Sequence, residues 1–156
     1  MHNFVFRGLS DKDFAALFEL DDVELATRGI ERVRADAKPG FPCRISLRDA
    51  EIGDELLLLP FEHQPEASPY RASGPIFVGR GARQCALAPG EIPASVATRL
   101  ISLRAYDDTH RIVHADVCEG TDLPRQIETA FANPAVAYLH LHNAKRGCFA
   151  CRVDRA

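Results

Sequence analysis

The chain has 156 residues, 46% of them hydrophobic and 26% charged, with a formal net charge of −3. That length suits one domain, taken as 1–156, with room for a real core. The charge balance gives no field that draws nucleic acid or acidic membranes, and the longest aliphatic run, residues 56–59, is far too short to span a bilayer.

In chain order, residues 4–6 read as a short strand. The N-terminal stretch lacks a basic start followed by a long apolar run, so no secretory signal is expected. Ser10-Asp11-Lys12-Asp13 has the form of a capping box with Asp at its fourth position. Phe14, Leu17 and Phe18 follow at helical spacing, which predicts a helix opening at Ser10. A second helical turn is expected over 21–26, ending at Gly29. Residues 30–35 read as a strand, and Pro39-Gly40-Phe41-Pro42 as a turn. Ile45 and Leu47 alternate with Ser46 and Arg48, which suggests another strand. Residues 55–59 read as a strand buried on both faces and closed by Pro60.

Residues 63–73 form the longest irregular stretch, and a loop of that length is often functional. A strand is expected at 74–78, then a loop-rich segment to 93. Residues 100–106 and 111–117 read as a hairpin around Asp107-Asp108-Thr109-His110. Thr121 or Asp122 then caps a helix with Pro124 in its first turn and a stripe of Leu123, Ile127, Ala130 and Phe131. Asn133-Pro134 ends it.

The closing stretch, 138–153, reads as a hairpin. With a loop from Asn143 to Gly147, Leu141 pairs with Phe149 and Leu139 with Cys151. Alternation then sorts Leu139, Leu141, Phe149, Cys151 and Val153 onto an apolar face. Tyr138, His140, His142, Cys148, Ala150 and Arg152 fall on a polar one. The expected fold is therefore α+β: a mainly antiparallel sheet covered by two or three helices.

Several chemistries compete for the polar face. His140, His142, Cys148 and Cys151 contain zinc-ligand types. Residues three apart on one strand point to opposite faces, however, so Cys151 leaves the group. At most His140, His142 and Cys148 remain as metal candidates. A thioredoxin-like role would require a helix after Cys148-x-x-Cys151, and the sequence offers none. Cys148 opposite His142 could form a nucleophile–base pair, or could be only a small residue beside a turn. The remaining candidate is a ligand pocket between the Tyr70 loop and the hairpin, drawing on Arg44, Tyr70, Arg71, Ser73, His140 and Arg152, with Tyr138 nearby. Its donors suit a small anionic or polar molecule, and Arg binds anions bidentately as Lys cannot. No cofactor is named by any motif. The alternative is a non-catalytic interaction or structural module, in which these faces are buried or form a homodimer contact. Five widely spread cysteines without a secretion signal fit reduced thiols in the cytoplasm.

Four groups of residues carry a resemblance. They are Pro39-Gly40-Phe41-Pro42-Cys43-Arg44 with Ser46-Leu47 and Asp49-Ala50; Ser68-Pro69-Tyr70-Arg71-Ala72-Ser73-Gly74-Pro75-Ile76-Phe77-Val78; Arg104-Ala105-Tyr106-Asp107; and His142-Asn143-Ala144-Lys145-Arg146-Gly147-Cys148. Their order and spacing resemble a bacterial family catalogued as domain of unknown function 1203. The resemblance covers nearly the whole chain and implies a stand-alone cytosolic protein of about this length. It brings no reaction, substrate or catalytic residue.

Overall fold

A computed structural model describes residues 2–156; Met1, part of the stretch judged for a secretory signal, lies outside them. Two antiparallel sheets organise the α+β fold. The larger has five strands: β1 (Phe4–Arg7), β5 (Leu100–Tyr106), β6 (Ile112–Glu119), β7 (Tyr138–Asn143) and β8 (Phe149–Arg155), in the order β1-β8-β7-β5-β6. The smaller has three: β2 (Glu31–Arg34), β3 (Glu55–Gln64) and β4 (Ala72–Gly79), in sequence order. The helices are α1 (Asp22–Thr27), α2 (Ala94–Ala97) and α3 (Leu123–Phe131).

The core has two parts because the larger sheet is covered on both faces. Leu123, Ile127, Ala130 and Phe131 of α3 pack on one face with Ile101, Leu103, Leu139, Leu141, Cys151 and Val153. This is the predicted helical stripe meeting alternate strand residues. The smaller sheet contributes Leu57, Leu59, Ile76 and Val78 to a second cluster, which also takes in Phe14, Phe18 and Phe149.

Local differences from the sequence reading have physical causes. The helix expected at Ser10 is two short 3-10 segments, Asp11–Asp13 and Ala15–Glu19, and the Ser10 side chain caps nothing. Asp21 does cap α1, accepting from the Glu24 N–H at 2.8 Å. The strand expected at Ile45 and Leu47 is a tight turn: the Leu47 N–H donates to the Cys43 carbonyl, and Leu47 stands at φ 56. Both side chains are buried, so alternation here recorded burial on two sides of a turn rather than a strand. Pro60 does not close β3, which runs on to Gln64. It sits opposite Pro75 and beyond the last β2 pair, Glu31↔Leu58, so its missing N–H costs no ladder bond on that side. The four-residue α2 lies just past the segment read as loop-rich.

The final hairpin pairs two residues out of the expected register near its open end: Leu139 faces Val153 and His140 faces Arg152. A two-residue slip leaves face membership unchanged. The irregularity at Ala150 does change it. Leu141 faces Cys151 but His142 faces Phe149, so one strand carries an extra residue. Ala150 and Cys151 both enter the α3-side core, and Phe149 turns to join the histidines.

Candidate functional site

The face of β5, β7 and β8 turned toward the smaller sheet carries two different environments. At its open end and middle lies a buried aromatic and histidine stack. His140 is 4% exposed and His142 1%, so the face expected to be polar and available is inside the protein. His63 of β3 stacks on Phe149 at 5.6 Å between centroids, with 9° between the planes. It lies 4.8 Å from the His142 ring and 6.2 Å from the His140 ring. Tyr106 stacks on Tyr138 at 5.2 Å.

Burial keeps these imidazoles neutral. It pushes His140 down to about 3 and His142 to about 4, with His142 and His63 adding to the pressure on His140, and Arg104 and His63 to that on His142. The His142 Nδ1 sits 2.9 Å from the Gly147 carbonyl, which opposes part of that drop. Its Nε2 lies 3.4 Å from Arg104 Nη1. The His63 and His140 Nδ1 atoms are buried without a partner. Among the described residues, no three His, Cys, Asp or Glu side chains are arranged to hold a metal ion.

The second environment is at the turn. Asn143, Lys145, Arg146 and Cys148 form one wall of a cavity of about 470 Å³. Gly40, Pro42 and Arg44, Phe77 of β4, the stretch from Thr98 after α2 to Leu100 at the start of β5, and Glu119 complete it. That volume lies in the range of small-molecule pockets. Gly147 at φ 80 lets the turn close, with its N–H donating to the Asn143 carbonyl at 2.7 Å.

Arg44 lines this cavity opposite the turn and is only 2% exposed. Its Nε donates to the Phe149 carbonyl at 2.8 Å, its Nη1 to the Pro42 carbonyl, and its Nη2 to the Cys148 Sγ at 3.2 Å. Among the described residues no carboxylate lies within ion-pair distance of it. Burial holds the guanidinium below its ordinary value, with the Cys148 sulphur acting in the opposite direction. The Asn143 Nδ2 also approaches Cys148 Sγ, at 3.6 Å, while the Asn143 Oδ1 is buried without a partner. Arg99 differs from Arg44: Asp49 holds it through two contacts, at 2.6 and 3.0 Å. Lys145 and Arg146 are exposed. Four cations thus line the cleft against Glu119 and the Asp49 that pairs Arg99.

The residues singled out from the sequence divide between locations. Arg44 and Cys148 meet at the cleft. His140 and His142 lie in the buried stack, and His142 turns to Gly147 and Arg104 rather than to Cys148. Tyr70 is 38% exposed and packs edge-on against Tyr106 at 6.2 Å. Arg71 pairs with Glu62 on the surface at 3.2 Å, and Ser73 is exposed on β4. Arg152 lies on the outside over the Tyr138 ring at 4.1 Å and pairs with Asp154. The end of β3 reaches the closing hairpin, where Gln64 Nε2 donates to the Tyr138 hydroxyl at 3.0 Å, whereas the loop itself reaches the β5–β6 turn, where Ser68 Oγ donates to the His110 carbonyl at 2.9 Å. Arg99, Lys145, Arg146 and His63 were missed. The adjacent Lys145-Arg146 inside a hairpin loop longer than two residues was the signal available for the cleft.

A family model described as "Protein of unknown function (DUF1203)" matches residues 40–155. The chain belongs to this family. No curated protein and no solved structure matches it. Three of the stretches that carry the family resemblance meet in the cleft, through Gly40, Pro42 and Arg44, through Phe77, and through Asn143 to Cys148. The fourth supplies Arg104, which touches His142.

Proposed function

We propose that this protein binds a small carboxylate- or phosphate-bearing molecule in the cleft at the turn of its C-terminal hairpin. The carrying observation is Arg44: a guanidinium almost wholly removed from water, lining a cavity, with no carboxylate to balance it. A buried charge left unpaired costs several kcal/mol, so an anion in the cleft would offset a standing penalty. An Arg also has five N–H donors, more than its protein acceptors use. Lys145 and Arg146 add charge at the rim. The site keeps Arg44 and the hairpin from the sequence reading but sits at the turn rather than beside Tyr70. Free thiols at all five cysteines support work in the bacterial cytoplasm; among the described residues no helix is long and apolar enough to cross a membrane.

Thermal unfolding in citrate, compared with sodium chloride at equal ionic strength, tests this. A citrate-specific rise in Tm that sets in at millimolar citrate and then grows with the logarithm of its concentration is expected. Equal effects of the two salts would contradict it.

A second reading, self-association, draws on β6. This edge strand exposes Val113 at 44% and Val117 at 55%. Two copies paired antiparallel about Ala115 would set His114 opposite Asp116, and the extra residue at Val113 would have to join the ladder to face Val117. In the monomer, Asp116 Oδ1 accepts from the Val117 N–H at 2.7 Å and would have to release it. Light scattering of the native protein, with Asp116→His as the variant that opposes like groups, decides this reading. A monomer at all concentrations removes it.

A further inference from the structure

We infer that Cys148 is a reactive thiol that exchanges with small anionic disulfides, forming a mixed disulfide inside the Arg44 cleft. The inference rests on the anion-binding reading of that cleft and names the class of molecule that enters it. Three observations carry it. First, Cys148 lines a cavity of about 470 Å³, large enough for half of a small disulfide. Second, its Sγ accepts from two N–H groups, Arg44 Nη2 at 3.2 Å and Asn143 Nδ2 at 3.6 Å. These contacts fix the sulphur at the cavity wall, and sulphur is the nucleophile in exchange. Third, Arg44 is a buried cation without a carboxylate partner, and Lys145 and Arg146 stand at the same opening. An incoming carboxylate-bearing disulfide is therefore held with its sulphurs near Cys148.

The other thiols do not compete. Cys43, Cys118 and Cys151 are buried, and burial pushes the thiols of Cys118 and Cys151 up. Burial also pushes up the half-buried Cys85, which packs against the core.

The chemistry is thiol–disulfide exchange. The Cys148 thiol loses its proton to solvent, and the sulphur attacks one sulphur of the incoming disulfide. A bond forms from Cys148 Sγ to that sulphur, and the original S–S bond breaks. The other half leaves as a thiolate with the bonding pair. Cys148 is oxidised and the departing half is reduced. Cys151, three residues on, points into the α3-side core and cannot resolve the adduct. The mixed disulfide therefore persists until an external thiol arrives, which makes it a reversible cap.

The test uses the full-length native protein with two reagents. Dithiobis-nitrobenzoate is a dianionic disulfide, and dithiodipyridine is uncharged. Rates are divided by those of a free small thiol with the same reagent. One thiol should react in a fast phase that Cys148→Ser removes and Cys85→Ser leaves. The normalised rate should favour the anionic reagent by roughly ten-fold or more at low salt. Lys145→Glu with Arg146→Glu, both exposed, should lower only the anionic rate. Mass spectrometry should find a single adduct on Cys148, stable until dithiothreitol is added. A fast phase surviving in Cys148→Ser, or equal normalised rates for the two reagents, overturns the inference. A citrate-specific Tm rise measured on the same preparation separates the two proposals. If the rise is present and the fast phase absent, only the thiol assignment fails. If the rise is absent, the binding reading fails, and this inference falls with it.

Discussion

Two regions on the same face of one hairpin are built from similar polar residue types and behave in opposite ways. Around His140 and His142 the smaller sheet closes over the strands. Water is excluded, and the imidazoles stay neutral. A few residues on, at Asn143 to Cys148, the chain leaves the sheet and the cover ends. There the buried charge of Arg44 reaches a cleft rimmed by exposed cations. The difference lies less in residue type than in what covers each residue. A histidine that cannot meet water or a counter-charge serves as a packing element. An arginine held at the edge of a cavity keeps its charge at the opening, and the proposed binding rests on it.

Phe149 joins the two regions, so its loss should give the largest effect. It stacks on His63, and its carbonyl accepts from Arg44. Phe149→Ala should cost about 3–5 kcal/mol in denaturant unfolding, as for other large buried aromatics. A cost below about 1 kcal/mol would show that the two regions are not packed through this ring. Arg44→Ala comes next. It strands the acceptors at Phe149 and Pro42 while relieving an unbalanced buried charge, and a net loss of about 3 kcal/mol is expected. Citrate stabilisation should vanish in the same variant. Arg44→Lys keeps the charge but not the fork, and should recover only part of the binding.

The histidine stack makes its own prediction through pH. His140 and His142 have folded values of about 3 and about 4, against an ordinary 6.5. Below 6.5 the unfolded chain takes up protons that the folded chain refuses, so stability should be constant above that pH and fall as pH drops toward 4. For His142 the loss across the window is on the order of 3 kcal/mol. Unfolding midpoints at pH 7.5 and 4.5 check this, and His140→Leu should flatten the slope. A smaller effect is expected from Tyr138→Phe. It removes a hydroxyl that accepts from Gln64 and lies 2.7 Å from His110 Nδ1, and about 1 kcal/mol should be lost.

How much of this was legible in the sequence follows the same division. The α3 stripe, the β5–β6 hairpin and the closing hairpin were readable, because periodicity and turn residues record local burial directly. The alternation that sorted Leu139, Leu141, Cys151 and Val153 together survived a two-residue register error, since side-chain direction repeats every two residues. Phe149 did not survive it, because the extra residue at Ala150 leaves no mark in the pattern. Nor could alternation tell a solvated polar face from one covered by another sheet: His140 and His142 looked available, and the cover comes from β3, many residues away. The Arg44 cleft was half visible. Arg44 and Cys148 were both named, but in separate roles. Their contact, made across more than a hundred residues, depends on a turn at 43–48 that the sequence presented as a strand.

The most direct measurement of the central claim is isothermal titration of citrate into the native protein at low ionic strength. The comparison is with Lys145→Glu combined with Arg146→Glu, exposed positions whose change should cost under about 0.5 kcal/mol of stability. Saturable one-site binding by the native protein, weakened roughly ten-fold or more in the variant and by added salt, is the predicted result. Binding that is absent, or identical in the two proteins, would contradict the account.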